Sequence, residues 1–166
     1  TASGLTDAQA VTLCMHAVAV GGGPGGDGLP AGSALRTLNL GANALSPACA
    51  PALADLARRS AALQVLDLGF NRLGDGGVRS LAPGLAASRG LRVLDLSLNH
   101  LSAAGASAVA DALPRGLVVL ELSSNSLGDR GAEVLAAAVA GHAALEKLFL
   151  RCGRREAMAP AAAGEA

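Results

Sequence analysis

The amino-acid sequence predicts an α/β solenoid, a right-handed horseshoe with a parallel β-sheet on its concave face and α-helices on its convex face. Three observations predict it. A segment of the form LxxLxL recurs five times, starting at residues 35, 63, 91, 117 and 145, with spacings of 28, 28, 26 and 28 residues. In the first four copies the ninth position is an asparagine: Asn43, Asn71, Asn99 and Asn125. Between copies, apolar residues recur at helical spacing. A strand followed by a helix, repeated at a fixed period, stacks into a parallel sheet backed by a helix layer.

Each element has its own reason. In LxxLxL the fourth and sixth positions share one side of a short strand, so Leu66 and Leu68 face the core while Asp67 between them faces outward. The asparagine side chain carries both donor and acceptor, and stacked at one repeat spacing these four amides can satisfy the turn that leaves each strand. Next comes Leu45, Leu73, Leu101 or Leu127, and then a helix start. Ser46 and Ser102 suit the N-cap, and Asp75 and Asp129 the N-cap or first turn beside the helix's positive end. The helices follow with Val78, Leu81, Leu85, then Ala106, Val109, Leu113, then Ala132, Leu135, Val139. Gly77, Gly105 and Gly131 recur at one position, where a small residue would let helix and strand layers approach closely.

The ends depart from the pattern. Residues 1–20 read as the helix of a partial leading repeat whose strand lies upstream, which together with the start at Thr1 points to a fragment. Residues 21–34 read as a glycine-rich loop insertion, residues 35–150 as the repeats, and residues 151–166 as a frayed C-terminal tail in which Gly153 takes the asparagine position. Arg154 and Arg155 there would discourage edge-to-edge pairing of the last strand.

The string LxxLxLxxNxLGDxGAxxLAxxL, nearly complete from Leu117 to Val139, resembles the ribonuclease-inhibitor-like class of leucine-rich repeats, over roughly residues 31–150. That class is similar to the repeat regions of NOD-like receptors and of Ran GTPase-activating proteins. The resemblance implies a scaffold for protein binding. It also implies two alternatives, a GTPase-activating regulator and the sensor region of a NOD-like-receptor-type multidomain protein. The acidic segment typical of the GTPase activators is replaced after the repeats by RCGRREAMAPAAAGEA, and no nucleotide-binding module accompanies the repeats. A ribonuclease inhibitor proper is cysteine-rich, whereas this chain has three cysteines.

Composition narrows the chemistry. Formal net charge is zero, so no whole-chain field favours nucleic acid or a membrane surface. Only Phe70 and Phe149 are aromatic, so Leu, Val and Ala must fill the core. Cys14, Cys49 and Cys152 are odd in number and lack metal-ligand spacing, which argues against a disulfide framework or zinc site and for an intracellular, cytoplasmic setting. The apolar run Val11 to Val20 is too short to span a bilayer. Gly21, Gly23 and Gly26 satisfy GxGxxG literally, but a helix precedes them and a strand follows, the reverse of a dinucleotide site. His16, His100 and His142 stand alone. We therefore expect no catalytic residues, no metal and no cofactor.

The informative positions lie on the open face. One row contains Asn39, Asp67, Asp95, Glu121 and Phe149, and its neighbour Thr37, Val65, Val93, Val119 and Lys147. Three stacked carboxylates repel one another at about 4.8 Å strand spacing. Either a basic partner relieves them or water solvates them. Phe70 and Leu98, one position before the asparagine, extend the apolar strip. The expected site for a protein ligand is thus Asp67, Asp95, Glu121, Val65, Val93, Val119, Phe70, Leu98 and Phe149. Helix-side Arg58, Arg59, Arg79 and Arg130 read as solvated surface.

Overall fold

The computed structural model describes residues 4–19 and 35–151. The glycine-rich segment 21–34, with its GxGxxG, and the expected tail with Cys152, Gly153, Arg154 and Arg155 lie outside the described residues. Helix α1 (Asp7–Ala19) comes first. Five strands then alternate with four helices: β1 (Thr37–Asn39), α2 (Ala50–Arg59) behind a short 3-10 turn at Pro47–Cys49, β2 (Val65–Asp67), α3 (Gly74–Ala87), β3 (Val93–Asp95), α4 (Ala103–Asp111), β4 (Val119–Glu121), α5 (Gly128–Ala140) and β5 (Lys147–Phe149).

The strands form one parallel sheet in the order β1-β2-β3-β4-β5. Its register sets Leu38, Leu66, Leu94, Leu120 and Leu148 in one row, flanked by the two outward rows read from the sequence. The inward leucines of the first four strands are buried, as are Leu40, Leu68, Leu96 and Leu122 two residues on. They meet Leu53, Leu56, Val78, Leu81, Leu85, Val109 and Leu135 from the helices in one continuous core. Parallel strands stack about 4.8 Å apart and packed helices about 8–10 Å apart, so this layering curves with the sheet on the inside.

Ser46 and Ser102 are N-caps, and their hydroxyls accept from the N–H groups of Ala48 and Ala104. The recurrent glycines do a different job from the helix–strand approach expected. A Cβ at Gly77 would press on Pro47 of the preceding unit, and one at Gly131 on Ala103 and Ala106 of α4. One at Gly105 would collide with the Asp75 carboxylate. The close approach is between a helix and its predecessor in the helix layer.

Candidate functional site

The face of the sheet away from the helices carries the two outward rows. Val65, Val93 and Val119 are half-buried there, between exposed Thr37 and exposed Lys147. Asp67, Asp95 and Glu121 are also half-buried, and they stand on paired register positions. Each spends one oxygen on its own chain. Asp67 Oδ1 accepts from Gly69 N–H at 2.9 Å, Asp95 Oδ1 from Ser97 N–H at 2.8 Å and Ser97 Oγ at 2.6 Å, and Glu121 Oε1 from Ser123 N–H at 2.8 Å. Asn39 Oδ1 does the same for Gly41 N–H at 2.9 Å. The row therefore caps the turn that ends each strand, a backbone job within reach of short acceptor side chains. Among the described residues the second oxygens of these three carboxylates have no hydrogen bond. The ion pairs found there are Asp55 with Arg58 and Asp55 with Arg59, on the helix side.

A shallow depression of about 360 Å³ on this face is lined by Asn39, Asp67, Asp95, Gly69, Ser97 and Phe70. Phe70 is also a wall of a second depression, of about 630 Å³, at the edge where the turns leave the strands, together with Leu98, Ala42, Arg72 and His100. Phe70 is 61 % exposed, Leu98 45 % and Phe149 38 %. Phe149 pairs with Glu121 at the last strand, so it closes the acidic row.

Beneath this face the asparagines tie unit to unit. Asn71 Oδ1 accepts from Asn43 N–H at 3.2 Å and Leu45 N–H at 2.9 Å, while its Nδ2 donates to the carbonyls of Leu40 and Leu68, both at 2.9 Å. Asn99 Oδ1 accepts from Leu73 N–H at 3.2 Å, and its Nδ2 donates to Leu68 and Ser97 carbonyls. Asn125 Oδ1 accepts from Asn99 and Leu101 N–H, both at 3.0 Å, and Asn43 Oδ1 from Leu5 N–H at 2.8 Å. Every one of these amides bonds its own turn and the turn before, which fixes the spacing at which the outward rows are displayed.

A second cross-unit tie was not foreseen. Asp75 sits in the first turn of α3, yet its carboxylate accepts from Ser102 N–H at 2.8 Å and Ser102 Oγ at 2.6 Å, in the next unit. Asp7 does the same for Ser46 N–H and Oγ. Burial alone would raise the Asp75 pKa, but the bonds from Ser102 and from Gly105 N–H, with Arg79 nearby, hold it below the ordinary carboxylate value. The recurrence of Asp seven residues before Ala82 in one unit and the Leu-Ser pair in the next was visible in sequence, but the two meet only once the units stack.

Nothing here assembles into a reaction centre. Among the described residues no group of three or more His, Cys, Asp or Glu is placed to hold a metal ion. Cys14 and Cys49 are free and buried. Burial pushes the Cys49 thiol up to about 12, with the charges of Asp7 and Cys14 adding to it, and burial pushes Cys14 up to about 11. Both are thus poor nucleophiles at neutral pH. His142 Nδ1 accepts from Leu145 N–H at 3.1 Å and its Nε2 lies 2.9 Å from Pro114 O, which fixes the ring as a brace between two loops. His100 is exposed in a turn with φ 58°. Among the described residues no helix is long and apolar enough to cross a membrane.

A family model described as Leucine Rich repeat matches residues 60–82, 87–110 and 117–136. No curated protein sequence matches the chain.

Proposed function

We propose that this leucine-rich-repeat chain is a protein-interaction module that binds a basic or mixed basic–apolar protein segment along the concave sheet. The observation that carries this reading is the unpaired row of Asp67, Asp95 and Glu121. Each has one oxygen committed to its own turn, and none has a cation within ion-pair distance among the described residues. Like charges stacked on adjacent strands weaken a sheet, and a ligand carrying Lys or Arg would reverse that sign. Val65, Val93 and Val119 beside the row, with Phe70, Leu98 and Phe149 at its margins, supply apolar contact next to charge, the composition of a protein interface. Repeat scaffolds of this kind bind through long surfaces of small contributions. The 28-residue unit with a full helix supports assignment to the ribonuclease-inhibitor-like class.

The test is recovery of partners from a cell lysate by the chain and by an Asp67→Asn, Asp95→Asn, Glu121→Gln variant. These substitutions remove charge but keep the oxygen that accepts from Gly69, Ser97 and Ser123 N–H, so the turns survive. Proteins held by the wild type and lost by the variant are the expected result. Identical recovery by a folded variant would remove the concave row from the account.

A further inference from the structure

The residues just before the turn asparagines, Ala42, Phe70, Leu98 and Ser124, all have positive φ, at 58°, 56°, 51° and 58°. The turn imposes this conformation whatever the side chain. Glycine or asparagine enters it most easily, and bulky side chains do so rarely. Phe70 and Leu98 are therefore not chosen by the backbone. Burial does not account for them either, since Phe70 is 61 % and Leu98 45 % exposed. They are neighbours, because Phe70 N–H donates to Ser97 O at 2.8 Å across the two turns. Two strained, exposed apolar side chains side by side mark a contact surface.

The depression they line has a charge of its own. Arg72 lies on its wall, and among the described residues its guanidinium has no hydrogen bond or ion pair. The one carboxylate in the lining, Asp7, has both oxygens taken by Ser46. We propose that this edge depression binds a peptide segment that seats an apolar side chain against Phe70 and Leu98 and rests a carboxylate on Arg72. A peptide fits better than a nucleic acid. Phe70 is the wall shared with the acidic depression of Asp67 and Asp95, which would repel a run of phosphates but tolerates one isolated carboxylate. This site is separate from the concave row, takes a ligand of opposite charge, and does not rest on that reading.

The experiment is selection of a random twelve-residue phage-displayed peptide library on the full chain. An enriched peptide is then titrated, fluorescein-labelled, by fluorescence polarisation. The selected sequences should place an aliphatic or aromatic residue close to Asp or Glu. Arg72→Glu should weaken binding at least about tenfold, the scale of a central interface residue, and Arg72→Lys much less. A Phe70→Asn, Leu98→Asn variant should lose binding equally while keeping or raising its melting temperature, because asparagine accepts the left-handed turn. A merely structural role would lower that temperature instead. Should the double variant misfold, Arg72→Glu, a change at an exposed side chain, carries the test alone. The Asp67→Asn, Asp95→Asn, Glu121→Gln variant should bind the peptide unchanged, which separates this site from the concave one. Failure to enrich any peptide would overturn the proposal. So would peptides that are basic and respond only to the carboxylate variant, or competition by a twelve-nucleotide oligothymidylate that depends on Arg72.

Discussion

Two kinds of unit alternate along the chain, and they leave their turns differently. In the units starting at residues 35 and 91, the residue after the asparagine takes the left-handed conformation (Ala44, φ 53°; His100, φ 58°), and a serine then caps the helix. In those starting at 63 and 117 the left-handed residue comes two positions later and is glycine (Gly74, φ 55°; Gly128, φ 63°), and the N-cap is a leucine with no side-chain bond. Helix length follows the same alternation, with 10 and 9 residues in the serine units and 14 and 13 in the glycine units. The ties join them unequally: Asp7 reaches Ser46 and Asp75 reaches Ser102, always from a Leu-x-Asp turn to the next Leu-Ser turn. The physical repeat is thus two units of sequence. The asparagine ladder, in contrast, runs through every unit without alternation.

That contrast can be broken in order of size. Asn99 is fully buried, and replacing it with alanine would orphan Leu73 N–H and the carbonyls of Leu68 and Ser97. The expected loss is about 3–4 kcal/mol by urea unfolding. Asn71→Ala in a unit of the other kind should cost the same, because the ladder does not alternate. A difference of more than about 1.5 kcal/mol between them, beyond ordinary variation in such bonds, would mean that it does. Gly105→Ala comes next, at about 2 kcal/mol, because the new Cβ displaces the Asp75 carboxylate from Ser102.

Asp75→Asn keeps the packing and removes one charged acceptor, for about 1 kcal/mol. Its pH dependence has a fixed sign. The folded-state pKa of Asp75 lies below the unfolded value, so its contribution is complete above the unfolded carboxylate range, about pH 4, and is lost as pH falls through the folded value. Urea midpoints of wild type and variant should differ by a constant amount from neutral pH down to that range and converge below it. Asp129, in the same Leu-Gly-Asp position, accepts no such bond among the described residues and is exposed. Asp129→Asn should cost only a few tenths of a kcal/mol from the helix dipole. An effect equal to that of Asp75 would refute the pairing of units.

Much of this architecture was legible in the residues. Leu38, Leu66, Leu94 and Leu120 announce an inward row, and the register of Thr37, Val65, Val93, Val119 and Lys147 follows from one period repeated. Ser46 and Ser102 announce caps, since the sequence neighbours they serve are two residues away. What stayed hidden depends on stacking. Asp75 reads as serving its own helix, because Ser102 is 27 residues distant. Gly105 reads as a seat for a strand, because the carboxylate that needs the space comes from another unit. The left-handed turn at Phe70 and Leu98 leaves no mark at the position itself, where Ala, Phe, Leu and Ser all occur. Nor does the sequence reveal that one oxygen of Asp67, Asp95 and Glu121 is already occupied, a fact that halves the acceptors offered to a ligand.

The concave assignment is tested most directly by zero-length carbodiimide cross-linking of the chain to a partner it recovers, read by mass spectrometry. The account predicts amide bonds from Asp67, Asp95 and Glu121 to partner lysines. Cross-links confined to the helix-side carboxylates Asp55, Asp111, Asp129 and Glu133 would place the partner on the convex layer and contradict it.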